Sequence, residues 1–177
     1  MESPESPDAS ISSVSPDQYR AVMRHWPSGV TVITMLHDGR RHGMTASAFT
    51  SVSVNPPLVL IVVDRRWRSH DYLVAAGSFC VNILAADQSN WSDRFAGRHG
   101  EMADRFEGIP TATAAGGAPV LTGALGYLDC TVENAYPAGD HTIFVGRVVS
   151  CGIQRGGDPL VFHNTRYTRL DDAQMTT

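Results

Sequence analysis

The chain has 177 residues, 42% hydrophobic and 18% charged, with a formal net charge of −4 at pH 7. That length fits a single domain, and the acidic balance leaves no global basic field for nucleic acid. The fourteen basic residues are all arginine, which excludes a Schiff-base lysine and a Walker-type phosphate loop.

Residues 1–14 are rich in Ser, Pro, Glu and Asp and lack a basic start with an apolar stretch. They read as a disordered N-terminal tail on a cytoplasmic protein. No run is long enough to span a membrane. Ser15-Pro16-Asp17-Gln18 predicts a helix start, with a capping serine, proline at the first position and Gln three residues on. Tyr19, Val22, Met23 and Trp26 fall on one face of it, the pattern of a core-packing helix. Pro27-Ser28-Gly29 ends the helix.

Val30 to Leu36 alternates as a strand, and Asp38-Gly39 is a hairpin turn signal. Residues 30–36 and 42–54 are therefore expected to pair antiparallel. Within the second stretch, Thr45, Ala46, Ser47, Ala48, Thr50, Ser51 and Ser53 are small or hydroxylated. Small side chains let a flat ligand approach the backbone, and the hydroxyls can donate or accept, so the stretch is a candidate ligand wall; an edge strand facing water has the same pattern. Asn55-Pro56-Pro57 stops this strand. Leu58 to Val63 is a short apolar run, expected to be a strand buried on both faces.

Asp64-Arg65-Arg66-Trp67-Arg68-Ser69 puts three arginines at the end of that strand, and Ser69 is placed to cap a short helix closed by Gly77. Arginine beside a helix start suits phosphate, as it suits a solvated loop. Phe79 to Leu84 is a further strand carrying Asn82, whose burial demands partners from protein or ligand. Residues 86–96 are expected to be helical up to Gly97, 101–106 to add a turn, and 108–119 to be loop. Gly123 to Tyr136 and His141 to Gln154 predict a long hairpin, and 160–163 with 167–170 a last strand pair.

Cys80, Cys130 and Cys151 show no CxxC spacing, which suits a reducing compartment; the first two lie in apolar strand patterns and read as inert buried thiols. No GxGxxG follows a strand and no Cys/His cluster has metal-ligand spacing, so neither a Rossmann site nor a metal site is expected. Six or more antiparallel strands with short peripheral helices predict a mainly β domain over 15–170, its sheet closing into a barrel, with a short C-terminal tail at 171–177.

Six segments, in order, resemble the short-chain NAD(P)H:flavin oxidoreductases, the reductase components of two-component flavin-dependent monooxygenases. They are Trp26 to Thr34, Gly43 to Ser53 followed by Pro56 to Leu60, Phe79 to Leu84, Arg94 to Gly97, Ala138 to Thr142 and Pro159 to His163. The resemblance implies an antiparallel Greek-key split β-barrel, a homodimer that binds flavin (FMN or FAD), takes hydride from NADH or NADPH and releases reduced flavin to a separate monooxygenase. By the same resemblance, Thr45, Ala46, Ser47, Ala48 and Phe49, with Ser51 and Val52, hold the isoalloxazine and ribityl chain. Arg66, Arg68 and Ser69, with Phe95, Ala96 and Gly97, lie near the flavin phosphate or its nucleotide extension. Asn82 is a further cofactor-binding candidate, Tyr167 matches an aromatic near the flavin, and His141 is the catalytic candidate at the nicotinamide site. The alternatives are a flavin-binding module without turnover, and a self-contained oxidase acting on its own substrate.

Overall fold

A computed structural model describes residues 14–100 and 102–170. The expected tails lie outside the described residues, apart from Val14. The chain runs through α1 (Pro16–Met23), β1 (Ser28–Gly29), β2 (Thr31–His37), β3 (Arg40–Ala46), β4 (Phe49–Val54), β5 (Pro57–Asp64), α2 (Arg68–Ala76) and β6 (Ser78–Ile83). It continues through α3 (Ser89–Phe95), β7 (Thr111–Thr113), β8 (Pro119–Leu121), β9 (Gly126–Ala138), β10 (His141–Ile153), β11 (Val161–His163) and β12 (Arg166–Thr168).

Seven strands form one antiparallel sheet in the order β3-β2-β6-β9-β10-β5-β4. β3 and β4 are consecutive in the chain yet stand at opposite edges. In a flat sheet, six interstrand spacings of about 4.8 Å would hold those edges about 29 Å apart. Only Ser47 and Ala48 join them, a link that reaches at most about 11 Å. The sheet must therefore curl until its edges converge at that corner. No ladder pairs β3 with β4, so the closed barrel expected from the strand count is not made.

The hairpin signal acts as expected: Asp38 and Gly39 both have positive φ (49° and 72°), and β2 pairs with β3 across them. The expected single strand over 42–54 instead breaks at Ser47, and its second half pairs with β5. Central strands are covered on both sides. Ile33 and Met35 of β2 pack with Ile61, Leu73, Phe79 and Phe144, while Val30, beside its start, and Val32 pack with Leu84, Phe95, Leu121 and Leu160. β5 departs from its expected double burial. Val59, Ile61 and Val63 are buried, but Leu60 and Val62 are only half-buried and line a groove.

Three further differences bear on the site. α1 has its capping box but buries no residue; Tyr19, Val22 and Trp26 are 61%, 69% and 70% exposed, so its apolar face is not packed into this chain's core. α2 starts one residue before Ser69, which makes no capping bond. The expected loop over 108–119 contains β7, paired with β8. β1, β11 and β12 form a separate small sheet.

Candidate functional site

The small-residue stretch forms the end of β3 and the corner into β4. As an edge strand, β3 pairs only with β2, so every second N–H and C=O points outward with no ladder partner. An opening flanks each end of the stretch. Gly43, Met44 and Thr45 line a cleft of about 1480 Å³ between β3, the start of α2, the end of α3, Gly100 and residues 102–106. Ser47, Ala48, Phe49 and Thr50 line a groove of about 610 Å³ against α1, β5 and the β11–β12 turn. The Thr45 hydroxyl donates to the Ser92 carbonyl at 2.6 Å, tying the wall to α3.

The cleft is strongly cationic. Arg40, Arg41, Arg68 and Arg105 line it, and Arg41 is ion-paired with Asp104. Arg68 lies over the Tyr72 ring at 5.4 Å, and Arg105 Nη1 donates to the Phe95 carbonyl at 2.9 Å. His42 stacks on the same Tyr72 ring, with centroids 4.6 Å apart, and its Nε2 lies 2.8 Å from Ser69 Oγ. Burial, then the charges of Arg105 and Arg68, lower its pKa to about 4; the ring is neutral near pH 7. The first turn of α2 has no side-chain cap, leaving N–H donors at the cleft wall.

Of the residues singled out from the sequence, Thr45, Arg68, Ser69, Phe95, Ala96 and Gly97 meet in the cleft, and Ser47, Ala48 and Phe49 in the groove. Ala46 is buried between them, its carbonyl accepting from Thr31 Oγ1 at 2.7 Å. Ser51 and Val52 are exposed on β4 beyond the groove. Arg66 lines neither opening; it grips Asp64 through Nε and Nη2 and holds that carboxyl down at about 2. Asn82 is fully buried and its amide is satisfied within the protein: Nδ2 donates to Val32 O and Thr34 Oγ1, and Oδ1 accepts from Leu121 N. Tyr167 also lies off both openings, donating its hydroxyl proton to Asp93 Oδ1 at 2.6 Å and accepting from Ser92 Oγ at 2.9 Å.

His141 opens β10 opposite Asp64 in the ladder. Its Nδ1 lies 2.6 Å from Asp140 Oδ1, which leaves Nε2 facing away from that carboxylate. Arg65 clamps the preceding turn, its backbone N–H donating to Asp140 O at 3.1 Å and its guanidinium to Gly139 O. His141 lines neither opening. Cys80 and Cys130 are buried as expected; burial raises both thiol pKa values, Cys130 to about 12.

Sequence reading missed His42, Tyr72, Arg40 and Arg105. His42 abuts Gly43, and Tyr72 sits three residues after Ser69, hence on the same helix face. Arg40 and Arg105 reach the cleft from segments with no local signal.

Residues 23–171 match the family described as flavin reductase like domain. The chain is 36% identical over 159 residues to HsaB, the reductase subunit of a flavin-dependent monooxygenase of Rhodococcus jostii (strain RHA1), covering 90% of this chain and 80% of that one. It is 40% identical over 161 residues to an NADH-dependent flavin reductase of Rhodococcus sp, covering 89% and 88%. Among solved structures it is similar to the NADH:FAD oxidoreductase SgcE6 of Streptomyces globisporus C-1027 in complex with NAD and FAD fragments. The TM-score is 0.83 at 35% identity, over 91% of this chain and 98% of that one.

Proposed function

The chain belongs to the flavin reductase-like family, and from that membership we propose that it is an NAD(P)H:flavin oxidoreductase supplying reduced flavin to a separate flavin-dependent monooxygenase. One observation carries the reading. A strand of small residues with outward backbone donors runs from a cationic cleft into an apolar groove. That donor set fits a flavin, a flat ring with a polar edge and an anionic tail: small side chains admit the ring, and arginines with an uncapped helix start suit phosphate.

Hydride acceptance from a reduced nicotinamide is the chemistry that a flavin would supply once held along Thr45 to Phe49. The residues of the chain hold and orient. Thr45 to Phe49 form the ring wall, where outward N–H groups of β3 donate to the polar edge and offset charge gathered there. Arg68, Ser69 and the Phe95–Gly97 corner take the phosphate end. His141, its Nδ1 bound by Asp140, presents Nε2 for a nicotinamide. The assay is oxidation of NADH and NADPH with added FMN, FAD or riboflavin. Flavin-dependent oxidation is expected; none under any pairing would reduce the protein to a binding module.

In our reading the curled seven-stranded sheet is the split barrel of this family, residues 15–170 are the working unit, and the protein is a homodimer. The exposed Tyr19, Val22, Met23 and Trp26 of the N-terminal segment support a second copy as cover. Light scattering is expected to exceed the 19.1 kDa of one chain; a monomer mass at micromolar protein would contradict this. Three free cysteines and, among the described residues, no helix long and apolar enough to cross a membrane support a cytoplasmic site of action, which fractionation of cells would test.

A further inference from the structure

Two histidines tie the first turn of α2 to strands on either side of it. His42 of β3 holds Nε2 2.8 Å from Ser69 Oγ. The next helical residue, His70, holds its own Nε2 2.9 Å from Thr142 Oγ1 of β10. His42 directly precedes Gly43, Met44 and Thr45, which wall the cleft, and Thr142 directly follows His141. β2, β6 and β9 stand between β3 and β10 in the sheet, so the helix turn is the short route from one to the other. The His70 ring is set by packing: its side chain is 16% exposed and meets Phe144 edge-on, with centroids 5.5 Å apart. Thr142 is buried, and His70 is the hydroxyl's partner among the described residues. The ladder is weak at this point, because Pro137, opposite Thr142 in β9, has no N–H to donate. Neighbouring strand residues point to opposite faces, so anchoring Thr142 inward fixes the direction in which His141 leaves the strand.

We propose that His70 is a positioning residue for hydride transfer: through Thr142 it sets where His141 stands relative to the β3 wall, and so where a nicotinamide meets the flavin ring. The inference rests on the flavin reductase reading and on the place given there to His141. His70 lines neither opening and exchanges no atom or electron with either ring; it acts by geometry. Reacting rings must approach to roughly 3–3.5 Å, and a displacement of about 1 Å costs about 100-fold in rate. His70→Ala removes the bond, Thr142→Val removes it from the other end, and His70→Gln keeps a polar atom at similar reach. Thermal melts verify folding, and Thr142→Val carries the test if His70→Ala unfolds. Flavin affinity is measured by fluorescence quenching, and reduction of bound flavin by NADH in stopped flow. The imidazole signals of His141 are followed by NMR in the flavin-free protein, assigned by their loss in His141→Ala.

His70→Ala and Thr142→Val are each expected to slow flavin reduction about 10-fold, with flavin affinity held within about twofold. His70→Gln is expected to recover most of the rate, and the His141 signals are expected to move in the first two variants. Adding His70→Ala to His141→Ala is expected to change the rate by less than about twofold, because the residue through which His70 acts is already gone. A merely structural role would slow both backgrounds alike. Equal slowing with and without His141, unmoved His141 signals, or a flavin affinity that falls about 10-fold overturns the proposal. So does a reduction rate unchanged in both single variants. An unsubstituted protein that reduces no flavin sinks the underlying reading, whereas reduction that survives both substitutions at the parent rate sinks the role of His70 alone.

Discussion

Asn82→Ala is expected to destabilise the protein without weakening its hold on flavin. The side chain makes three hydrogen bonds in a fully buried setting, to Val32 O at 3.1 Å, to Thr34 Oγ1 at 3.1 Å and from Leu121 N at 2.7 Å. Thr34 keeps other partners, the carbonyls of Cys80 and Pro119. The Leu121 N–H loses its acceptor, and Val32 O loses a donor. Leaving a buried polar group unmet costs about 1–3 kcal/mol; one orphaned donor and one weakened acceptor give about 2–4 kcal/mol. With a urea slope of about 2 kcal/mol/M, the unfolding midpoint should fall by about 1–2 M. A domain of ordinary stability, about 5–15 kcal/mol, remains folded after that loss. Flavin affinity is then measured at 25 °C without urea and is expected within about twofold of the parent, because Asn82 reaches neither opening. An unchanged midpoint combined with a tenfold loss of flavin affinity would show that the amide serves the ligand, and would refute the reasoning.

Ser47→Trp places a bulky ring at the exposed corner between β3 and β4; flavin binding should be abolished while the melting profile is kept, as fluorescence titration and circular dichroism would record. His141→Ala should leave flavin affinity nearly unchanged and lower the efficiency of nicotinamide oxidation about 10- to 100-fold, about 1.4–2.7 kcal/mol of transition-state stabilisation; stopped-flow traces identical to the parent would make it only a turn residue. His42 is held neutral in the folded state with a pKa of about 4 against 6.5 for a free imidazole. The unfolded chain therefore binds the proton first as pH falls. The stabilisation is present above pH 6.5 and is lost progressively between 6.5 and 4. His42→Phe should flatten that slope in urea unfolding measured across the window; equal slopes would refute it.

The hairpin of β2 and β3, the N-terminal cap of α1 and the long β9–β10 hairpin were legible because each is written locally, in a turn dipeptide, a capping box or an alternation. The corner at Ser47–Ala48 was not. Its residues differ little in propensity from the strand before it, and what breaks the strand is the distant choice of β5 as partner for β4. The amphipathic pattern of α1 gives a face that wants cover without stating whose surface provides it. In the site, the wall was visible as a run of small hydroxylated residues. The cationic cleft was not, because Arg40, Arg68 and Arg105 are brought together only by the tertiary fold. Asn82 was read for what a buried amide requires, and both protein and ligand meet that requirement on paper; only the hydrogen bonds decide.

The order of strands also dictates when, during synthesis, a working site can exist. The wall residues 43–50 leave the ribosome early, yet β3 and β4 belong to opposite halves of the sheet. β3, β2, β6 and β9 can associate among themselves, but the β4–β5 hairpin joins them only through β10. Until residue 153 has been made, the nascent chain holds two unconnected pieces of sheet. Contacts that link such distant segments also slow folding, because loop closure must precede them. Flavin capture by a growing chain would therefore begin abruptly and late, once the Gly139–Asp140 turn has delivered β10 into its gap, and a chain ending near residue 140 would translate normally while never acquiring its ligand.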